Sequence, residues 1–388
     1  MAIATAQTID GGEGAKAPPA HSAPQKEPAS VTKLAIDPKA KPGKAKVYAA
    51  LALNRLVGFL GLIGFGFIEP FVKLIQGDDP RKQLGDIWRM LGIPLVAIGL
   101  FLMAWSGGAS RVETSLGTIP GPVAVWGQFE ALMNDHARMR DKEAAFYARQ
   151  DARNAKFIAD GQPERVKERS FTGKPTYIDQ IFTSLKTVFF GFLIATAIAV
   201  PLGIFCGLSP TVNAAMSPLI QIFKPVSPLA WLPIVTMVVS ALYLTPIEAM
   251  PKSFVISAIT VTLCSLWPTL INTAHGVSLI DKDLLNVAKV LQLKARDKVF
   301  KIVIPSSLPL IFTGLRLSLG VGWMVLIAAE MLAQNPGLGK FVWDEFQNGS
   351  SDSLARIMVA VLTIGLIGFA LDRVMHTLQA AFTFSDKR

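Results

Sequence analysis

Apolar runs of about 18 or more residues recur along this chain, each long enough to cross the roughly 30 Å hydrocarbon core of a bilayer as a helix. No other feature narrows the fold as much. In hydrocarbon every backbone amide needs a partner within its own segment or a closed barrel. Runs of this length without strict alternation read as helices. They concentrate after residue 176. With 51% hydrophobic and 17% charged residues among 388, the chain is expected to be an all-α integral membrane protein, a polytopic helical bundle.

The net charge of +10 does not point to nucleic acid, because Lys and Arg lie in the N-terminal tail and in loops beside apolar runs. Retention on the cytoplasmic side places them there. Cys206 and Cys264 both fall inside apolar runs, without metal-ligand spacing, so neither a disulfide framework nor a metal site is expected. His21, His136, His275 and His376 are scattered, and no H-E-x-x-H pattern occurs. The N-terminus lacks a basic-then-apolar start, so the first membrane helices are expected to serve as the insertion signal.

Residues 1–46 are rich in Ala, Pro, Gly and Lys and read as a disordered cytoplasmic tail. Residues 47–76 are apolar but interrupted by Arg55 and Glu69-Pro70, which suits an interfacial or a spanning helix. The glycines of "GFLGLIGFGF" within it suggest close packing. Residues 87–106 form a clearer crossing. From 107 to 175 the sequence turns polar, and Gly121-Pro122 opens a run of strong helix formers, predicting a long helix in an extramembrane insertion. The core then spans 176–384, with crossings expected near 181–207, 217–243, 253–274, 306–332 and 355–381. The total is six, or seven if 47–76 spans. A basic, cytoplasmic 275–304 loop puts the insertion and 333–354 outside, and the Lys-rich tail favours six crossings.

That loop is the most informative stretch. "DLLNVAKVLQLKARDKVFKIVIPSSLP" (283–309) carries Lys289, Lys294, Arg296, Lys298 and Lys301 between two greasy runs. Leu284, Leu285, Val287, Ala288, Val290 and Leu291 form one helix face. Asp281 and Asp283 stand at its start, while Lys294 and Arg296 follow its end, both favourable to the helix dipole. Such a short amphipathic helix suits lipid or a groove on another protein. The stretch leads directly into a helix opened by Pro305, so force on the loop would reach the membrane.

The spacing resembles the loop of permease subunits of type I ABC importers: E-A-A, three residues, Gly, nine residues, I-x-L-P. Asn286, Val287 and Ala288 take the first three places, Gln292 falls on the Gly, and Ile302, Ile304 and Pro305 fall in register. Asn replaces Glu, and Gln replaces the turn Gly. A non-Gly residue at positive φ costs about 1–2 kcal/mol, so the turn is expected to move to Leu293–Ala295. "KPVSPLAWLPIV" (224–235) and "GLRLSLGVGWMVLIAAEML" (314–332) resemble the nitrate/sulfonate/bicarbonate group of these permeases. "FTGKPTYIDQIFTSLKTVFFGF" (171–192), "VWDEFQNGS" (342–350) and the long insertion resemble nitrate permease subunits.

The resemblance covers about 88–381. It implies a bundle of about six crossings in a bacterial inner membrane, working beside a second permease copy. Two ATPase subunits carrying ATP and Mg would drive it, and a periplasmic or lipid-anchored solute-binding protein would feed it a small oxyanion. The chain itself is expected to hold no cofactor and to catalyse nothing. It has no G-x-x-x-x-G-K-[ST] with which to cradle ATP phosphates. Sulfonate, taurine, bicarbonate or cyanate transport, or an ATP-independent secondary transporter, are the alternatives.

Ionisable groups inside apolar helices are costly and mark candidate pathways. Arg316 suits attraction of an anion, or pairing with a carboxylate. Glu330 lies about 21 Å further along the same helix and reads as structural or as an outer gate. Trp231, between Pro228 and Pro233, suits a wedge in the pathway or ordinary helix packing. Ser227, Thr236 and Ser240 on the same segment offer hydroxyls to an oxyanion, or bond back to their own helix. Asp372 and Arg373 read as a cytoplasmic-interface marker, and His275 as a helix-end residue.

Overall fold

The computed structural model describes residues 68–75, 79–109, 111–114, 117–243, 250–350 and 352–383. The expected tail 1–46, and most of the expected helix 47–76, lie outside the described residues. After a short helix α1 (Ile68–Ile75), α2 (Pro80–Ala109) is a 30-residue apolar helix. It contains a π-helical turn at Trp88–Gly92 and covers the crossing expected at 87–106.

The polar insertion starts with a small antiparallel bridge, β1 (Glu113–Thr114) to β2 (Gly117–Thr118), which the sequence did not suggest. It continues as α3 (Pro122–Ala159), 38 residues long, with Pro122 in its first turn where no N–H is needed. The chain then returns along α3. The Asn154 side chain donates to the Lys167 carbonyl (3.2 Å), the Arg169 N–H to Gln150 (2.9 Å), and the Phe171 N–H to the Tyr147 hydroxyl (3.2 Å). The root of the insertion is tied twice. His136 meets Thr176 at 2.7 Å, and Arg140 donates to Asp179 at 2.6 Å.

Thr176 and Asp179 also form a capping box that starts α4 (Tyr177–Leu208): each side chain bonds the other's backbone N–H. Pro175 bars the helix from beginning earlier. Then follow α5 (Pro210–Phe223), α6 (Pro228–Leu242), α7 (Lys252–Ser278), α8 (Lys282–Val290), α9 (Ala295–Ala333), α10 (Leu338–Asn348) and α11 (Ser353–Thr383). Among the described residues five helices are long and apolar enough to span, or six if α5 and α6 make one broken span.

The single crossing expected at 217–243 needs correction. Residues 210–242 are two helices meeting at 101°. Pro225 and Pro228 supply the reason. Neither donates an N–H to the ladder, and Pro228 pushes the residue before it out of the helical region. Ser227 accordingly sits at φ −64°, ψ 145° and caps α6 through its hydroxyl.

The core is centred on α7, which lies between α4 and α9. Small residues every fourth position on α4 (Gly191, Ala195, Ala199, Gly203, Gly207) form the seam. A Cβ added at Gly203 would sit 2.8 Å from the Leu270 carbonyl and 2.6 Å from Thr273 Cβ. Glycine thus lets the two backbones approach closely, as membrane helices require when lipid removes the hydrophobic drive. On the other side of α7, Pro268 breaks the backbone ladder, and Ser318 of α9 accepts the Thr269 N–H at 3.0 Å. Arg356 of α11 joins the insertion to this core by donating to Gln128 (3.2 Å) and to Glu345 (3.3 Å).

Candidate functional site

The loop between α7 and α9 is a helix, a tight turn and the start of a second helix. Asp281 caps α8 by accepting the Asp283 N–H at 2.9 Å. At the other end the Leu293 N–H reaches back to the Ala288 carbonyl (3.0 Å) and the Gln292 N–H to the Lys289 carbonyl (3.0 Å). This pair of bonds is the Schellman termination, and its left-handed residue is Gln292 at φ 49°. The turn therefore stays at Gln292 rather than moving to Leu293–Ala295. Two recovered backbone bonds, each worth about 0.5–1.5 kcal/mol, offset the strain of a side chain at positive φ. Gln292→Gly should raise thermal stability, by roughly 1 kcal/mol, without shifting the loop. A melting temperature below wild type would show that the Gln292 side chain contributes more than its strain costs.

The apolar residues of α8 divide between two directions. Ala288 is buried, and Leu285 packs on a cluster of Ile204, Val277, Ile280 and Val303. Leu284, Val287, Val290 and Leu291 point away and stay exposed, Val290 at 81%. The face expected to be continuous is thus an anchor of two residues and a free stripe of four. Asn286 is exposed beside the stripe.

Pro305 does not open a helix. The helix begins ten residues earlier, capped at Lys294, and α9 runs unbroken for 39 residues. A π-helical turn at Val299–Val303 absorbs the proline, which has no N–H to give to the ladder. Arg296 lies over the Phe300 ring at 6.0 Å, and Asp297 pairs with Lys301 at 3.0 Å. The second half of the loop and the membrane segment are therefore one continuous helix of about 58 Å.

The candidate pathway residues occupy three separate environments. Trp231, Thr236 and Ser240 belong to α6, and Ser227 is its N-cap. Trp231 lies 5.8 Å from the Phe223 ring, which itself stacks on Trp267 at 6.3 Å, so the aromatic packing gathers at the α5–α6 bend. The hydroxyl of Ser227 is engaged as the α6 cap, while Ser240 is exposed. Glu330 is fully enclosed. It accepts from Ser184 (2.8 Å), the Gly339 N–H (3.0 Å) and Asn335 (3.4 Å), while Ser184 accepts the Leu338 N–H (2.8 Å). Arg316 makes a two-bond fork with Asp372: Nε to Oδ1 at 2.5 Å and Nη2 to Oδ2 at 2.8 Å. His275 lines a cavity of about 280 Å³ with Asn213, Ser217, Gln221 and Ser278.

Sequence reasoning missed Asp372 as the partner of Arg316, and Ser184 and Asn335 as partners of Glu330. The one available signal was an acid, Asp372, within one apolar run and a base, Arg316, within another.

Residues 199–383 match the family described as binding-protein-dependent transport system inner membrane component. The chain is 37% identical over 196 residues to the nitrate import permease protein NrtB of Synechococcus elongatus, covering 50% of this chain and 66% of that one. It is 38% identical over 201 residues to the bicarbonate transport system permease protein CmpB of Synechocystis, covering 52% of this chain and 67% of that one. The match thus spans just under two thirds of the nitrate permease's own length. Among solved structures, an inward-facing MetNI methionine ABC transporter chain aligns over 51% of this chain and 94% of its own. Its TM-score is 0.42 at 16% identity.

Proposed function

The chain belongs to the family of binding-protein-dependent transport system inner membrane components, and from that premise we propose that it is the membrane-spanning subunit of an ATP-driven importer for a small planar oxyanion, nitrate first. One observation carries the reading: the exposed apolar stripe of α8, clamped by its turn to a 39-residue rod that enters the bundle. A secondary transporter has no use for such an outward stripe on a charged loop.

In this reading two copies of the chain surround the route in a bacterial inner membrane, and two separate ATPase subunits bind Mg and ATP. A groove on each ATPase receives Leu284, Val287, Val290 and Leu291. Closure of the ATPases moves α8, and the rod carries that motion to the middle of α9. ATP shifts the equilibrium only by as much as the ATPases bind one state better than the other. A solute-binding protein delivers the anion on the opposite side. The segments 171–192 and 342–350 favour nitrate over bicarbonate, while identity to NrtB and CmpB is comparable and keeps bicarbonate as the second reading.

The test is uptake of isotope-labelled nitrate and bicarbonate by cells deleted for this chain and complemented with it. Restored, vanadate-sensitive nitrate uptake is the expected result. Restored bicarbonate uptake alone would reassign the substrate, and vanadate-insensitive uptake would remove the ATPase from the mechanism.

A further inference from the structure

Arg316 and Asp372 are charged residues within helices long and apolar enough to span, yet the ion pair is not enclosed. Their side chains remain 37% and 36% exposed. They border a cavity of about 550 Å³, together with Thr313, Gly320, Met324 and Gln379. Charges at such positions turn toward water or protein and away from lipid. The side of α9 and α11 that carries this pair therefore faces a wet space or another subunit.

The fork uses only part of the guanidinium. Nε and Nη2 each spend one N–H on Asp372, and no bond from Nη1 to another described residue exists. One helical step away, the Arg373 Nε and the His376 Nδ1 are buried without hydrogen-bond partners. At Gly320, one turn along α9, a side chain would meet open space, so the approach to Arg316 is clear. Arg316 and Asp372 are the charged groups that line the cavity, while Arg373 and His376 stand behind Asp372 on α11, the Arg373 guanidinium lying over the Phe369 ring at 5.0 Å.

We infer that Arg316 is a binding residue for a planar oxyanion on the route through the membrane, with the Asp372 carboxylate holding its place when no anion is bound. A carboxylate and a trigonal oxyanion such as nitrate or bicarbonate present the same pair of coplanar oxygens. The arginine fork accepts either in two parallel bonds. When the anion takes the fork, Asp372 keeps Arg373 and His376 beside it on α11 as compensation. Arg316 also rides on the rod that begins at the α8 turn, so movement of the loop changes its distance to Asp372. Loop movement would thereby load or release the anion. This inference rests on the importer reading, and it assigns that importer's anion site.

Two measurements test it on the complete transporter in proteoliposomes. In labelled nitrate uptake, Arg316→Gln should lower the rate tenfold or more. Arg316→Lys should raise KM several-fold with turnover retained, and Asp372→Asn should keep at least a third of the rate. The double variant Arg316→Gln/Asp372→Asn should be as slow as Arg316→Gln alone. A merely structural ion pair predicts the opposite, with the neutral double variant recovering wild-type uptake, and that result would overturn the assignment. The second measurement is the melting temperature of the purified chain in sodium nitrate against sodium chloride. Nitrate should stabilise wild type and Asp372→Asn but not Arg316→Gln. If wild type takes up neither anion yet this nitrate effect depends on Arg316, the site stands and the importer reading falls. If nitrate stabilises Arg316→Gln as it does wild type, the site falls.

Discussion

Replacing Val287, Val290 and Leu291 together with aspartate should reduce ATP-driven uptake about a thousandfold while the chain still folds and reaches the membrane. All three side chains are exposed on α8, so no internal contact is lost. Removing each from an apolar groove forfeits about 1.5 kcal/mol or more, and the new carboxylates would have to be desolvated as well. The sum exceeds about 4 kcal/mol, or about a thousandfold in docking at 1.4 kcal/mol per tenfold. Stimulation of the partner ATPase by this chain should disappear in parallel. Leu285→Asp is the informative contrast, because Leu285 packs against Val303 and its neighbours. That variant should lose protein from the membrane rather than lose coupling. Wild-type uptake by the triple variant would sink the docking role of α8.

Glu330→Ala should be the most destabilising single change in the described bundle. The carboxylate is fully buried and gathers donors from α4, from the turn after α9 and from α10. Its removal leaves the Gly339 N–H, the Asn335 amide and the Ser184 hydroxyl short of an acceptor. At 1–3 kcal/mol for each orphaned buried group, the loss is about 3 kcal/mol or more. Glu330→Gln keeps the shape and two acceptor lone pairs, and should cost roughly half as much. Gly337→Val should match Glu330→Ala from the other side, since even a Cβ there would lie 2.1 Å from the Glu330 carboxylate. Melting of the detergent-solubilised chain, followed by size-exclusion, checks all three. Wild-type stability of Glu330→Ala would mean that water replaces the carboxylate at no cost.

These two regions differ in how far they could be read from the chain. The α8 loop was legible because its information is local. Apolar spacing, Asp281 before the helix and the run of lysines all fall within thirty residues. Even there, burial decided that Leu285 and Ala288 anchor while Val287 and Val290 project. Gln292 was misjudged because its strain is local, but the bonds that offset it depend on the whole turn geometry. The 217–243 crossing was misjudged because hydropathy sums composition and does not register that Pro225 and Pro228 bend the backbone.

Sequence by itself determined that the chain spans a membrane as helices, and roughly where each span lies. A helix in lipid satisfies its backbone within one segment, so length and hydropathy suffice to place it. Tertiary structure alone decided which polar groups inside the spans meet. Arg316 finds Asp372 across 56 positions and Ser184 finds Glu330 across 146, and no local pattern encodes either distance. A buried charge must have a partner, but which partner depends on the rotation and depth of two helices packed together. That packing comes from close fits such as Gly203 against Leu270, and only the folded bundle brings them together.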